Sequence, residues 1–471
     1  MTSLWLSRPR KGARTLMSES HAAPVSEPPA LSYREINRDI VATLAPGGKI
    51  YWMSVLTLFG IFNIAMLAWM YQIFVGLGVA GITHPNGWGV YIITFVFWVG
   101  IAHSGTLISA VLFLFRARWR MPVYRTAEAM TVFAVMTAGL FPLIHVGRVW
   151  KAYWLMPYPN QRYLWPNFKS PLMWDVLAVS TYFTISFLFF YFGLIPDIAA
   201  ARDRSTGLRR KIYNVLCFGW TGRGTHWQHY RKAYLIFAGI ATPLVVSVHS
   251  VVSWDFAMSI IPGWHTTIFP PYFVAGAIHS GLAMVITLLI PLRRVFNVKH
   301  IIRVAHLEAL ALVTIATGLV VGYAYGIEFF IAAYSGNVYE QTIFTDPTWG
   351  RPFGPYWWSF WIMAICNCVF PLLFLWRRVR TSIAWLFIIS ILINVGMWFE
   401  RFVIIITSLS TDYIPYNWGY YVPSWVEITI LIGSFAWFFL LFLLFAKHLP
   451  SISMTEIKEL VPAPSSKETR R

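Results

Sequence analysis

Charged residues are scarce in this 471-residue chain, at 12%, and acidic ones are scarcer, with 19 Asp and Glu against 37 Lys and Arg. Soluble proteins carry about 25% charged residues, so this composition excludes a soluble globular domain. Apolar residues make up 57% of the chain instead. Runs of about 20 apolar residues, enough to cross roughly 30 Å of hydrocarbon, recur along it. We therefore predict a polytopic membrane protein.

Cysteine is rare as well, with only Cys217, Cys366 and Cys368. Three thiols cannot supply the four ligands of an iron–sulfur cluster, and they form no disulfide framework. The sequence lacks a phosphate loop, a dinucleotide-binding glycine motif and a Cys/His metal cluster. His265 and His279 have a spacing that suits two haem ligands on one helix, but no other span carries a matching pair. We expect no haem, iron–sulfur cluster or metal in this chain.

The apolar runs predict an all-α fold of ten transmembrane helices. Their approximate bounds are 52–75, 88–115, 127–150, 172–195, 233–254, 268–292, 304–326, 356–376, 382–407 and 424–446. The polar segment 1–49 is predicted to be a flexible cytoplasmic tail, and its basic start is followed by no apolar run of signal-peptide length. Met17 is an alternative start. Residues 449–471 are predicted to form a second cytoplasmic tail.

Basic residues are concentrated on one side of the predicted membrane. Ten spans put both termini on the same side, whose tails and loops hold 31 of the 37 Lys and Arg. The positive-inside rule places this side in the cytoplasm. The net charge of +18 then reflects topology and attraction to anionic membrane lipids, and we expect no nucleic-acid partner.

Two segments share a pattern that indicates an internal duplication. His-Ser-Gly, an apolar run and an arginine follow one another in both 101-IAHSGTLISAVLFLFR-116 and 277-AIHSGLAMVITLLIPLR-293. His103 and His279 are 176 positions apart in the sequence. The offset corresponds to four helices, which preserves helix direction. Helices 2–5 and 6–9 are therefore predicted to be parallel repeats.

The duplication also predicts how the chain is divided. Residues 50–264 would form helix 1 and the first four-helix bundle, and 265–448 the second four-helix bundle and helix 10, with helices 1 and 10 peripheral. Glu128 and Glu308 occupy equivalent places in the two repeats, 180 positions apart. Small residues allow helices to approach closely in membranes. Those expected to do so here are Ser104, Gly105, Ser280 and Gly281.

Ionisable side chains near the outer ends of the spans are the first candidates for a functional site. An ionisable group inside a span costs about 2.5–3.5 kcal/mol on insertion scales and is functional by default. The four candidates are His145, Asp175, Asp255 and Arg401. Each alone has a structural explanation: Asp175 can interact with its helix dipole, Arg401 can neutralise a neighbouring acid, and a lone histidine is often a packing residue.

Together at one depth, these four residues are better explained as a site for the polar head of a lipid-soluble molecule. A quinol fits, because its oxidation releases two protons that a histidine and a carboxylate can accept. Arg148, three residues after His145, and His249, one and a half turns before Asp255, are added as quinol-binding residues.

A second group of ionisable residues lies deeper or toward the cytoplasm. Such residues form either a proton path or interhelical hydrogen bonds, and the sequence leaves both readings open. The residues are His103, Glu128, His279 and Glu308.

The His-Ser-Gly repeats, the ten spans and the outer His/Asp/Asp cluster resemble the NrfD-type polysulfide reductase family of membrane subunits, over residues 50–450. Within it, the chain is most similar to the C subunits (ActC) of bacterial alternative complex III. The resemblance implies two four-helix bundles and quinol oxidation near the periplasmic face. It also implies electron transfer to a docked iron–sulfur subunit. His145, Asp175 and Asp255 match the family's quinol-site positions, and Arg401 matches less closely.

The resemblance further implies a bacterial inner-membrane location, quinol (menaquinol) as substrate and a set of partners. The partners would be the periplasmic iron–sulfur subunit, multi-haem cytochrome c subunits, a homologous ten-helix membrane subunit, membrane lipids and a terminal oxidase. The homologous subunit is thought not to oxidise quinol, so the three matching residues favour the C subunit. The second repeat reads 357-WWSFW-361 where the first has 174-WDVLA-178, which predicts a site in the first bundle only.

Two other functions remain open, and one coupling hypothesis is added. The repeats and buried charges also suit a non-redox secondary transporter. The polar cluster could be structural, in a pure membrane anchor of a molybdopterin/iron–sulfur oxidoreductase. If quinol is oxidised, the deep histidines and glutamates could couple the reaction to proton translocation.

Overall fold

The structure is a computed structural model that describes residues 32–461. Every regular element in this range is helical, and ten helices are long and apolar enough to cross a membrane. The predicted all-α, multi-pass membrane protein is confirmed. Helices 1 to 10 span Lys49–Val75, Val90–Leu114, Tyr124–His145, Pro171–Arg202, Gly224–Ala257, Phe269–Val295, Val304–Ser335, Trp357–Leu375, Ile383–Ser410 and Trp425–His448. We call the end of the molecule at which helix 1 begins the inner end, and the opposite one the outer end.

Local sequence explains where several helices start, stop and bend. Ser424 and Glu427 form a capping box at the start of helix 10, and Gly336 ends helix 7 in the left-handed conformation, with φ +67°. Helix 3 is interrupted at Gly139, three residues before Pro142. Proline has no N–H to donate to the preceding turn, so the break falls there. It re-aims the last turn of helix 3, which carries His145.

Three spanning helices contain a π-helical turn. These turns lie at Leu107–Val111 in helix 2, Ile365–Val369 in helix 8 and Val403–Thr407 in helix 9. Such turns widen a helix locally and are frequent at functional sites. Two of them begin within four residues of an ionisable candidate, one after His103 and one after Arg401.

The helix contacts support the proposed pair of four-helix bundles. Helix 2 packs against helices 3 and 5, and helix 4 packs against helices 3 and 5, so helices 2–5 close a ring. Helices 6–9 close a second ring through the pairs 6–7, 7–8, 8–9 and 6–9. Helix 1 packs mainly on helix 10, at the side of these rings.

The two His-Ser-Gly tripeptides meet where helices 2 and 6 cross. The Ser104 hydroxyl donates a hydrogen bond to the Ile278 carbonyl at 3.1 Å. A Cβ added to Gly281 would overlap the Ser104 side chain, and one added to Gly105 would overlap the Ala127 carbonyl. Glycine is required at both places, Gly281 where helices 2 and 6 cross and Gly105 where helices 2 and 3 cross, because any side chain would push the helices apart.

The flexible-tail predictions were wrong for two segments. Tyr33–Thr43 is a helix with a capping box at Ser32 and fully buried Ile36 and Ile40, and it packs against a second short helix, Met454–Glu459. Both segments are short and polar overall, so the few apolar side chains that dock them on the bundle did not stand out in the sequence. The remaining parts of the predicted tails, 1–31 and 462–471, lie outside the described residues.

Candidate functional site

Two facing carboxyl groups at the outer end are the centre of the site. Asp175 lies in the second turn of helix 4 and Asp255 near the end of helix 5, and these antiparallel helices pack together. The preceding residues, Trp174 and Trp254, meet edge to face with ring centroids 6.0 Å apart. This contact holds the helix ends together and brings the carboxyl groups within hydrogen-bonding reach of each other.

The surroundings of this carboxyl pair suit proton exchange. Asp175 is 5% exposed, whereas Asp255 is half-buried with its Oδ1 fully covered, so Asp255 is the more exposed member of the pair. Within residues 32–461, no donor group hydrogen-bonds to either carboxyl oxygen of Asp175 or to Oδ1 of Asp255. Two carboxylates within hydrogen-bonding reach repel each other unless a proton lies between them.

His145 lies at the same end of the molecule but makes no hydrogen bond to the carboxyl pair. It is the last residue of helix 3 and half-buried, and its Nδ1 is buried without a hydrogen-bond partner among the described residues. The backbone beside it is fixed by Gln72 of helix 1, whose amide donates to the Ile144 carbonyl at 2.8 Å. Arg148 is exposed in the following turn, with its guanidinium 5.9 Å from the Trp150 ring centroid.

Two histidines form a second, fully buried cluster about halfway along the bundle. The rings of His103 (helix 2) and His249 (helix 5) are 4.6 Å apart, and His103 stacks on Tyr182 of helix 4 at 4.8 Å. His103 Nδ1 donates to the Val99 carbonyl at 2.6 Å, which leaves Nε2 as the acceptor. This Nε2 and both ring nitrogens of His249 have no hydrogen-bond partner in the part of the chain described.

Arg401 belongs to this deeper cluster. The prediction that it lies at the same depth as the outer carboxyl pair was wrong. Helix 9 continues nine residues beyond it to Ser410, about 14 Å at 1.5 Å per residue. Its guanidinium lies 4.3 Å from the Phe273 ring centroid, and that ring is 5.8 Å from His249. Arg401 also pairs with Glu400 at 2.9 Å. Six residues already followed Arg401 in the predicted span 382–407, so the error lies in its depth rather than in the helix end.

The cluster continues into the second repeat through residues that the sequence analysis missed. Tyr325 of helix 7 donates a hydrogen bond to Glu400 and accepts one from the Asn367 amide at 2.9 Å. Asn367 lies in the π-helical turn of helix 8. Near the outer end, the buried pair Glu328–Arg351 lies at 3.4 Å. An acid or arginine inside an apolar run is a usable signal for Glu328 and Glu400, whereas Tyr182 and Tyr325 looked like ordinary membrane aromatics.

Glu128 and Glu308 both lie toward the inner end, in different environments. Glu128 is buried, pairs with Arg125 at 3.1 Å and accepts a hydrogen bond from Tyr234 at 3.3 Å. Arg125 also pairs with Asp197 at 3.3 Å. Glu308 pairs with Arg380 at 2.8 Å and keeps 24% of its side chain exposed.

His279 is isolated from the other histidines in hydrogen bonding. It is fully buried on helix 6, with Nδ1 3.1 Å from the Thr317 hydroxyl of helix 7. This is an interhelical hydrogen bond between helices 6 and 7, which are neighbours in the second ring. His265 lies in the loop before helix 6, so the two histidines do not share a helix.

Comparison with known proteins identifies the family. The family model described as polysulphide reductase, NrfD, matches residues 78–412. The chain belongs to the NrfD family. The matched range contains the outer carboxyl pair, His145 and the buried cluster, so all of them lie within the NrfD unit.

Three NrfD-type relatives show the range of complexes that contain similar chains. The chain is 23% identical over 409 residues to the Hdr-like menaquinol oxidoreductase integral membrane subunit of Archaeoglobus fulgidus, covering 82% of this chain and 90% of that one. It is 27% identical over 237 residues to a putative dimethyl sulfoxide reductase membrane subunit of Halobacterium salinarum, covering 50% of each chain. A selenate reductase subunit of Mesobacillus selenatarsenatis is 21% identical over 220 residues, 45% of this chain and 50% of that one. The match thus spans about half the length of the last two relatives.

Proposed function

We propose that this NrfD chain is the quinol-oxidising membrane subunit of a multisubunit respiratory oxidoreductase, of the alternative complex III type. The observation that carries the proposal is the facing pair of Asp175, which is buried, and Asp255, which is half-buried. A relative matched over 90% of its length is named as a menaquinol oxidoreductase subunit, which supports a quinone substrate, menaquinol in particular.

The chemistry required matches what the outer carboxyl pair can do. Oxidation of a quinol to a quinone breaks two O–H bonds and releases two protons and two electrons. A carboxylate of the pair accepts one proton, and the unpartnered imidazole of His145 is the base for the other. Arg148, exposed beside His145, would orient the quinol head group. Arg401 makes no contact with the quinol in this proposal, since it lies with the deeper cluster.

The electrons must leave the chain through a partner. The outer loop between helices 3 and 4 exposes aromatic residues, among them Trp150, Tyr163 and Trp165, at 60%, 85% and 51%. Exposed aromatics are favoured in protein interfaces. We propose that an iron–sulfur subunit docks there and passes electrons to cytochrome c subunits.

Proton translocation coupled to quinol oxidation is a second proposal, supported by the buried cluster. Tyr182, His103 and His249 are in ring contact across helices 4, 2 and 5, and Arg401 of helix 9 lies on Phe273, the ring that neighbours His249. Intramembrane histidines and acids in contact are typical of proton relays. Glu128, at the inner end, is proposed as a later member of the path. For His279 and Glu308 we propose the alternative role, contacts that join neighbouring helices.

Substitution at the carboxyl pair tests the first proposal. In the assembled complex, Asp175→Asn and His145→Ala should each lower the rate of quinol oxidation by about 10²-fold or more, because each removes a proton acceptor. The readout is quinol:acceptor activity at equal complex content. Asp346→Asn, in the outer loop before helix 8, is the matched control and should keep normal activity. Normal turnover in both site variants would favour the structural-anchor alternative.

A further inference from the structure

A large apolar crevice lies on the side of the molecule away from the carboxyl pair. It has a volume of about 990 Å³ and is bounded by helices 1, 6, 9 and 10, with Phe97 of helix 2 at its floor. Among the described residues that line it, one is charged, Lys447, and none is acidic. The remaining lining is mostly aliphatic and aromatic. A volume of this size is at the upper end of those that hold small-molecule ligands, about 300–1,000 Å³.

The crevice has the depth of one membrane leaflet. On helix 10 its lining runs from Leu431 to Lys447, and on helix 9 from Phe387 to Phe399. At 1.5 Å per residue these stretches are about 24 Å and about 18 Å long. Half of a bilayer, including its head-group region, is about 20–22 Å thick, so the crevice extends from the inner head-group level to about the middle of the membrane.

Positive charge surrounds the inner mouth of the crevice. The Lys447 ammonium lies 5.5 Å from the centroid of the Phe296 ring, which also lines the mouth. Arg209 donates hydrogen bonds to the carbonyls of Lys447, at 3.2 Å, and Leu44, at 2.6 Å, which places a second cation beside the first. Lys49 is exposed between two lining residues at the start of helix 1.

We propose that this crevice binds an anionic phospholipid of the inner leaflet, with its phosphate at Lys447 and Arg209 and its acyl chains between helices 6, 9 and 10. Basic pockets between spanning helices on the cytoplasmic side recognise such head groups. The acyl chains cover the apolar walls where helices 1 and 10 separate from the second ring. This site is independent of the quinol chemistry at the outer end.

Native mass spectrometry of the detergent-purified complex tests the proposal. The wild-type complex should retain an anionic phospholipid through detergent washing. Lys447→Gln should weaken retention about five-fold, because one basic residue near an anionic lipid surface strengthens binding by about that factor. Val395→Trp should displace the lipid by filling the crevice, and Val395 is 40% exposed, so the larger ring enters the crevice rather than the core.

Two controls separate the site from general lipid association. Lys232→Gln changes an exposed cation at the start of helix 5, and Leu312→Trp adds a ring to an exposed site on helix 7. Neither should alter retention. Four results would overturn the proposal: equal retention in the crevice and control variants, equal retention of zwitterionic lipid, a quinone as the bound molecule, or a wild-type crevice covered by another subunit and free of lipid.

Discussion

Side chains without hydrogen-bond partners mark both clusters that we propose to be functional. Asp175, His145 and His249 carry buried polar atoms that no group within residues 32–461 satisfies. A buried polar atom left without a partner costs about 1–3 kcal/mol, so a hydrogen bond from another molecule would be stabilising there. At the outer pair, that molecule would be the quinol. At His103 and His249, it would be water on a proton path.

His249 is the residue at which the two proposals can be separated. In the assembled complex, His249→Gln should leave most of the quinol oxidation rate intact, because the outer carboxyl pair is unchanged. It should lower the number of protons released outside per electron transferred, because the variant removes one imidazole of the buried histidine pair from the proposed path. The measurement is acidification around sealed vesicles during quinol oxidation.

The control for this variant is His265→Gln, at an exposed histidine in the outer loop. It should change neither rate nor proton yield. A wild-type proton yield in the His249→Gln variant, or a wild-type yield no greater than the protons released by the quinol itself, would remove the proton-relay proposal.

The sequence showed which ionisable side chains lie inside the spans better than it showed where they lie. Asp175 and Asp255 were predicted as one cluster, and they face each other, because a charge inside an apolar run is visible and helix order fixes which end it occupies. Arg401 was placed too near the outer end, because the nine residues of helix 9 that follow it put it about 14 Å from that end. Tyr182 was missed because an aromatic residue in a span carries no signal of its ring contact with His103.

At the level of helices, Gly281 of the second His-Ser-Gly tripeptide explains how the repeats join. Gly281→Ala should destabilise the protein by about 1–3 kcal/mol, the usual cost of overpacking, because the new methyl group overlaps Ser104 across the helix 2–helix 6 crossing. The measurement is the thermal unfolding temperature of the purified complex in detergent.

Gly60→Ala in helix 1 is the matched control, because no atom lies within 4 Å of the added methyl group. It should leave the unfolding temperature unchanged or raise it slightly, since alanine favours a helix. An equal response of the two variants would contradict close packing at the tripeptides. The repeat itself was predictable because both copies keep this glycine, whereas the short helix Tyr33–Thr43 was not, because so few of its residues are apolar.

At the scale of the whole molecule, the distribution of basic residues predicts the orientation in the membrane. A cysteine at Tyr163, in the outer loop between helices 3 and 4, should react with a membrane-impermeant thiol reagent in intact spheroplasts. A cysteine at Phe218, on the inner side and 77% exposed, should react only after permeabilisation. The opposite labelling pattern would show that the chain has the opposite orientation, with the proposed quinol site at the cytoplasmic face.

Binding of a quinone analogue to the purified complex tests the central claim most directly. The wild-type complex should bind it at one site near the outer end, and Asp255→Asn should abolish that binding while the complex stays assembled. Asp255 is the more exposed member of the pair, so we expect the analogue to contact it. Undiminished binding in the Asp255→Asn variant would contradict the assignment of the outer carboxyl pair as the quinol site.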